Sequence, residues 1–428
     1  MPAIPAVKGT RDFYPEAMAL RNWLYEKVRL VSRAFGYTEY EAPYLERLEL
    51  YAAKAGEELV QEQAYVFKDR GGDLIALRPE LTLSLARMIA ARSRALPRPI
   101  RWWSFGPIWR YERPQKGRSR EFFQWNIDLL GVESPEADAE IAAVAVALFR
   151  AVGLGPDKIR LLVNNRRVAE ARYASIGIGP GQMPSALRLV DRRDKLSEAD
   201  WRAYGVELGF SEPTLEGLVE VLTDRDAWKA SDELRAFFEA ASDLGVSEYL
   251  DFEPLIVRGL DYYTGTVFEA RDIDGRFRAI LGGGRYDNLV ADVGGDRIPG
   301  VGFAMGDVTF GLLLEQAGVE PKRMDPPAQV LVCPIDEPAS REALRTASRL
   351  RAAGVQVEWY PLPDRLPRQL KYADRQGIPL AVILGSREIE AGSAAVKDLR
   401  TGQQTQVPLA EIEGRLIEQL ERLDPASC

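Results

Sequence analysis

The chain has 428 residues, room for about three domains with cores of their own, and 46% hydrophobic with 28% charged residues is the balance of an ordinary globular protein. It contains no histidine and only two cysteines, Cys333 and Cys428, which excludes Ser-His-Asp and Cys-His triads, imidazole acid–base chemistry, imidazole-based metal sites and a disulfide framework. A net charge of -8, with 64 acids and 56 bases, argues against a histone-like or membrane-surface protein, although a local basic patch still governs what a phosphate feels within about 8–10 Å.

Met1 to Pro15 has no apolar core of a signal peptide, and no later run reaches the roughly 18 apolar residues of a membrane span; a cytoplasmic, soluble protein with no membrane partner is expected. Met18–Ala34 reads as an amphipathic helix with Leu20, Leu24, Val28 and Val31 on one face. It leads through Gly36 into a proline-ended strand, Tyr37–Pro43. Strand-like runs follow at Leu74–Leu77, Ile100–Tyr111, Glu121–Leu130, Thr266–Arg271 and Ala279–Leu281. Long insertions separate them, which points to an antiparallel sheet rather than a doubly wound one. Asn164 to Asp251 reads as a mostly helical, charged insertion. Pro321–Pro327 is a proline-rich seam, after which strands and helices alternate (Gln329–Cys333, Glu337–Ala353, Val355–Tyr360, Arg365–Arg375, Leu380–Leu384), the pattern of a small α/β domain. A hairpin, Ala394–Leu399 with Gln404–Val407, and a helix, Leu409–Leu423, close the chain. The expected domains are 1–325, with the helical insertion at about 164–251, and 326–428.

The densest chemistry lies between Arg98 and Glu121, where seven bases face two acids. Guanidinium groups on such a hairpin grip carboxylate or phosphate oxygens bidentately; a solvated basic hairpin is the plainer alternative. Arg110-x-Glu112 tilts the balance, because residues two apart on a strand share a face. Arg258-Gly-Leu-Asp-Tyr-Tyr-Thr-Gly-Thr-Val-Phe-Glu269 gathers a base, two acids and two phenols around glycines, although a tyrosine pair is commonly core or rim. Leu281-Gly-Gly-Gly-Arg-Tyr-Asp287 is either a loose turn or a place where a ligand approaches the sheet. Pro299-Gly-Val-Gly-Phe-Ala-Met-Gly306 before a helix from Val308 is either tight packing or an anion site at a helix start.

Taken together, these stretches resemble the histidyl-tRNA synthetase family of class II aminoacyl-tRNA synthetases over nearly the whole chain. Lys8-Gly-Thr-Arg-Asp12 resembles the family's N-terminal stretch, Met18–Pro43 its motif 1 at a dimer interface, and Arg78-Pro-Glu-Leu-Thr82 with Arg110–Asp128 its amino-acid and ATP loops. Arg258–Glu269 and Leu281–Asp287 resemble the stretches particular to histidyl enzymes, and Gln369–Pro379 the anticodon-binding domain. The resemblance implies an α+β fold: a class II antiparallel sheet with flanking helices and a helical insertion, plus a C-terminal α/β domain. It implies ATP-dependent ligation of L-histidine to tRNA(His) through a histidyl-adenylate by a homodimer, with Mg²⁺ carried mainly on ATP phosphates and no protein metal site.

By the family pattern Arg110 and Arg258 are catalytic and also touch the histidine carboxylate. Arg110, Glu112, Arg118 and Phe122 hold ATP. Glu80, Thr82 and Gln124 take the histidine amino group, while Asp128, Tyr262, Tyr263 and the wall residue Tyr286 surround the imidazole. Arg113 and Gln115 meet the tRNA acceptor end; Arg365, Arg368, Lys371 and Arg375 meet the anticodon stem, a solvated charged face being the alternative for that helix.

Three positions depart from the pattern. Thr309 stands where motif 3 carries an arginine on ATP's outer phosphates, Asp128 where a glutamate is usual, and Phe123 where the family often has histidine. The altered motif 3 fits two rival readings. One is a non-catalytic paralogue serving as regulatory subunit of ATP phosphoribosyltransferase; the other is a histidine or uncharged-tRNA sensor. The retained Arg110, Glu112, Arg258 and C-terminal domain oppose both.

Overall fold

The structure, a computed structural model, describes residues 4–52, 63–113, 117–258, 262–277, 279–319, 326–362 and 364–423. The chain divides into two compact units, Met1–Pro321 and Lys322–Cys428.

Among the described residues the first unit has eleven strands: β1 (Thr38–Glu39), β2 (Leu45–Arg47), β3 (Tyr65–Lys68), β4 (Leu74–Leu77), β5 (Ile100–Trp109), β6 (Glu121–Leu130), β7 (Ile159–Asn165), β8 (Leu250–Phe252), β9 (Thr266–Asp272), β10 (Leu281–Tyr286) and β11 (Gly300–Gly306). Eight of them form one sheet in the order β1-β5-β6-β11-β10-β9-β7-β8. All its pairings are antiparallel except β1 with β5 and β7 with β8 at the edges. β2, β4 and β3 make a small sheet of their own.

The longest pairing, β5 with β6, runs from Ile100 opposite Leu130 to Trp109 opposite Glu121. One face of the large sheet sends Trp103, Trp125, Ile127, Phe268 and Phe303 into a core closed by the helices Pro15–Ala34 and Pro135–Ala151. The second of these starts with its Ser134 hydroxyl accepting from the Ala137 N–H and Pro135 at its first position, a strong start signal. In the first helix Leu24, Val28 and Val31 are buried but Leu20 is exposed, so the expected apolar stripe is one turn too long. The Tyr37–Pro43 strand shrinks to Thr38–Glu39, since only those two residues find ladder partners on β5.

Between β7 and β8 come five helices: Arg166–Ser175, Met183–Asp191, Glu198–Glu207, Glu212–Thr223 and Asp232–Asp243. Asn165, Ser197, Ser211 and Ser231 cap four of them through side-chain oxygens. The first four share a core of their own around Tyr173, Leu189, Trp201 and Leu215. The fifth instead sends Leu234 and Phe237 into the main core.

In the second unit, β12 (Val330–Pro334), β13 (Val357–Trp359), β14 (Leu380–Leu384), β15 (Ser393–Asp398) and β16 (Gln404–Pro408) form a sheet ordered β13-β12-β14-β15-β16. β13 and β14 run parallel to β12, and β15 and β16 close the sheet antiparallel. The helices Ser340–Ala352 and Ile412–Leu423 cover one side through Ala343, Leu350 and Leu416. Leu366–Gln376 covers the other, beside buried Cys333.

Candidate active site

Glycines shape the cleft. The Gly282–Gly284 run is the middle of β10, not a turn, and each glycine stands where a side chain has no room. A Cβ at Gly282 would lie 2.2 Å from the Arg258 guanidinium, one at Gly283 would lie 2.2 Å from the Gly302 carbonyl oxygen, and one at Gly302 would lie 2.2 Å from Asp128 Oδ1. Gly300 likewise makes way for the Tyr286 ring at 2.6 Å. The resulting cavity holds about 670 Å³, within the range of small-molecule sites.

One group of lining residues is neutral to acidic and deeply buried. Asp128, on β6 opposite Gly302, is 2% exposed. The Tyr286 hydroxyl donates to its Oδ1 at 2.5 Å while Oδ2 is buried with no protein partner. Burial pushes this carboxyl up to about 7. Tyr262 and Tyr263 pack with ring centroids 4.8 Å apart, and Tyr262 meets Tyr286 edge-on at 6.0 Å. Gln124 Oε1 is also buried and unpartnered. Glu80 accepts from the N–H groups of Thr82 at 2.9 Å and Leu83 at 2.8 Å, yet burial raises its pKa. Unpartnered buried acceptors are costly, so Asp128 Oδ2 and Gln124 Oε1 ask for a polar ligand.

The second group is charged. Arg110 donates from Nε to the Pro79 carbonyl at 2.8 Å and lies 5.4 Å from the Phe122 ring centroid. Burial lowers its pKa, opposed by Glu112 and Glu80. β5 ends at Trp109, so Arg110 and Glu112 do not alternate along a strand as the spacing implied. The Glu112 N–H instead donates to the Arg110 carbonyl at 2.7 Å, and this tight bend still leaves both on the cavity wall. Arg118 pairs with Glu112 at 3.0 Å. Thr309 cannot supply the cation of an arginine; its hydroxyl donates to the Gly117 carbonyl at 3.3 Å, tying the first turn of the Asp307–Gln316 helix to the residue before Arg118.

Arg258 has a φ of +56°, a left-handed conformation that costs a residue with a side chain about 1–2 kcal/mol. Its Nη1 donates to Glu269 Oε2 at 2.8 Å and its Nε is buried without a partner. Burial opposes its charge, but Tyr263 and Glu269 outweigh that and hold it cationic. Four guanidinium groups (Arg110, Arg118, Arg258 and Arg271), a planar polar slot and a buried carboxylate thus share one cleft, which suits an anion beside a compact polar amine.

Glu80, Thr82, Arg110, Glu112, Arg118, Phe122, Gln124, Asp128, Arg258, Tyr262, Tyr263 and Tyr286 all line the cavity, although they are scattered over some two hundred residues of sequence. Arg113 is exposed and off the wall; Gln115 lies outside the described residues. Arg365, Arg368, Lys371 and Arg375 are exposed in the second unit, with Arg368 paired to Asp364 at 3.1 Å. Phe123 points away from the cleft, 6.0 Å from Phe105 and with the Arg21 guanidinium 4.3 Å from its centroid. The sequence reading gave no role to Glu269, Arg271 or Asp194, which line the same cavity. Their signal was faint: Glu269 and Arg271 at alternate positions of the strand Thr266–Asp272, whose last residue is charged as well.

The Histidyl-tRNA synthetase family model matches residues 9–307, and an Anticodon binding domain model matches residues 329–419. The chain is 38% identical over 416 residues to the chloroplastic/mitochondrial histidine–tRNA ligase of Arabidopsis thaliana, covering 95% of this chain and 85% of that one. It is 37% identical over 431 residues to the histidine–tRNA ligase of Opitutus terrae, covering 96% and 98%. The crystal structure of histidyl-tRNA synthetase from Nostoc sp. PCC 7120 superimposes with a TM-score of 0.80 at 27% identity, over 98% of this chain and 100% of that chain.

Proposed function

The chain belongs to the histidyl-tRNA synthetase family, and from that premise we propose that it ligates L-histidine to tRNA(His) through a histidyl-adenylate. A carboxylate oxygen of histidine attacks the α-phosphorus of ATP in line, the bond to the β-phosphate oxygen breaks, and pyrophosphate leaves. A ribose hydroxyl at the tRNA terminus then attacks the acyl carbon and AMP leaves. The first step needs positioning and charge neutralisation rather than a proton-transferring base, so a chain without histidine can perform it.

Arg110 and Arg258 hold the histidine carboxylate against the α-phosphate, Arg258 neutralising charge as it builds. Phe122 stacks on adenine, Glu112 accepts from its amino group, and Arg118 reaches the outer phosphates. Mg²⁺ brought by ATP neutralises those phosphates. Glu80, Thr82 and Gln124 receive the substrate ammonium. Asp128 accepts from one imidazole nitrogen and Tyr263 donates to the other, with Tyr262 and Tyr286 as walls. The observation that carries this reading is the buried, unpartnered Asp128 Oδ2 held beside three tyrosines in the cleft of the two arginines. A slot that satisfies both ring nitrogens rejects apolar isosteres by about 10⁴ or more.

Arg113, Gln115 and the exposed bases Arg365, Arg368, Lys371 and Arg375 contact tRNA, the last four through phosphates with the salt dependence that implies. A second copy of the chain covers the Met18–Pro43 stretch, whose Leu20 and Leu30 are exposed. The reaction belongs in the cytoplasm; among the described residues no helix is long and apolar enough to cross a membrane. The test is charging of a tRNA(His) transcript with labelled histidine and ATP. A folded protein that binds histidine yet forms no ATP-dependent aminoacyl ester would favour the regulatory or sensor reading.

A further inference from the structure

A left-handed, non-glycine residue survives only where its surroundings over-determine it, and two separate ties converge on Arg258. The first is a chain of ion pairs. Arg258 Nη1 meets Glu269 Oε2 at 2.8 Å, Glu269 Oε1 meets Arg271 Nε at 2.6 Å, and Arg271 Nη1 meets Asp194 Oδ2 at 2.9 Å. Asp194 sits in the 3-10 turn Arg193–Lys195, next to the Met183–Asp191 helix of the inserted module. The second tie is apolar: Val257, immediately before Arg258, is 2% exposed and packs in the core of that same module, with Leu189, Val190 and Trp201. The module therefore grips Arg258 by its backbone neighbour and, through three charged side chains, by its guanidinium.

We propose that the inserted helices set the geometry of Arg258 through Asp194, Arg271 and Glu269, which act as positioning residues for the adenylation step; this rests on the reading of Arg258 as a catalytic arginine. The value of the chain is directional. The Asp194–Arg271 pair is half-exposed, and such pairs add little to stability. Glu269 is 9% exposed and uses both oxygens, so losing either partner re-aims the other. A shift of the module then moves Arg258 relative to the α-phosphate, and misplacement of about 1 Å is enough to slow chemistry. Whatever occupies the face of the inserted module is thereby coupled to activation of histidine some distance away.

The test is histidine-dependent ATP–pyrophosphate exchange by the full-length protein. Asp194→Asn and Arg271→Gln each lower kcat about three- to tenfold while KM for histidine stays within about twofold and the melting temperature holds. The double variant is no slower than Arg271→Gln alone, because both residues act in one chain, and Asp194→Glu recovers most of the rate. Unchanged kcat in both single variants, or effects that multiply in the double variant, would overturn the proposal. A wild-type protein that exchanges nothing would instead remove the synthetase reading and this proposal with it, a result told apart from a failed coupling by the wild-type rate alone.

Discussion

The Tyr286 hydroxyl donates to Asp128 Oδ1 at 2.5 Å across two strands, and it does so only because Gly302 leaves the carboxylate a place. This shorter acid, where relatives are expected to carry glutamate, therefore has one oxygen spoken for and the other free for the substrate. Burial raises its pKa from 3.8 to about 7, so below that pH it carries a proton and Oδ2 no longer accepts well. KM for histidine accordingly rises as pH falls below 7, and the rise is shallower in Asp128→Asn, where only the substrate's own imidazole, near about 6.5 when free, still titrates. A flat wild-type profile between pH 6 and 8 would contradict the assignment.

The same shift bears on stability. The folded carboxyl keeps its proton to about pH 7, whereas the unfolded one releases it near 3.8. The stabilising contribution is therefore full below about pH 4 and is lost as pH rises through about 7. Bound histidine gives the ionised form a partner, so the melting shift produced by saturating histidine is larger at pH 8 than at pH 6. Calorimetric melts at the two pH values check this.

Gly282 and Gly283 are neighbours with opposite sensitivities. A methyl at 282 strikes the tip of the Arg258 side chain, which can move, whereas a methyl at 283 strikes the Gly302 carbonyl and the Phe303 backbone, which cannot. Gly282→Ala is expected to fold with a nearly native melting temperature and to lose about a hundredfold in exchange kcat. Gly283→Ala is expected to lose stability by about 1–3 kcal/mol or more through overpacking. Denaturant melts beside exchange kinetics separate the two.

How much of this was legible in the sequence depends on the distance over which each signal acts. The paired strands around Arg110, the inserted helices and the alternating C-terminal unit follow from local periodicity, and were readable. The glycine run at 282–284 was ambiguous, because whether it turns or runs straight depends on neighbours that sequence alone does not supply. Gly302 facing Asp128 is a register relationship between strands more than 170 residues apart. The Asp194–Arg271 pair spans 77 residues, and no spacing rule predicts it. The bend at Arg110–Glu112 shows the converse limit: both residues line the cavity, but the alternation assumed for them belongs to a strand that had already ended.

Thr309 anchors the residue before Arg118 through its hydroxyl on the Gly117 carbonyl. Removing its hydroxyl in Thr309→Val frees the Gly117 carbonyl and with it Arg118's attachment. KM for ATP is expected to rise about two- to tenfold, the worth of one hydrogen bond of about 0.5–1.5 kcal/mol, with KM for histidine unmoved. Thr309→Ser keeps the wild-type value. Equal KM for ATP in the valine variant would leave the threonine without a role.

Phe123 packs away from the cleft. Its ring belongs to the packed face with Phe105, Phe13 and Arg21, not to the cleft. Phe123→His therefore leaves exchange kcat within about twofold and lowers stability by about 1 kcal/mol through the lost ring contacts. A large loss of rate in a folded variant would place this position in the chemistry after all.

Amino-acid-dependent ATP–pyrophosphate exchange across a panel of amino acids shows whether this cleft activates histidine with ATP. Exchange is expected with histidine alone, abolished by Arg258→Ala and weakened by Asp128→Asn. No exchange from folded protein that still binds histidine would contradict it, and would mean that the cleft recognises the amino acid without activating it.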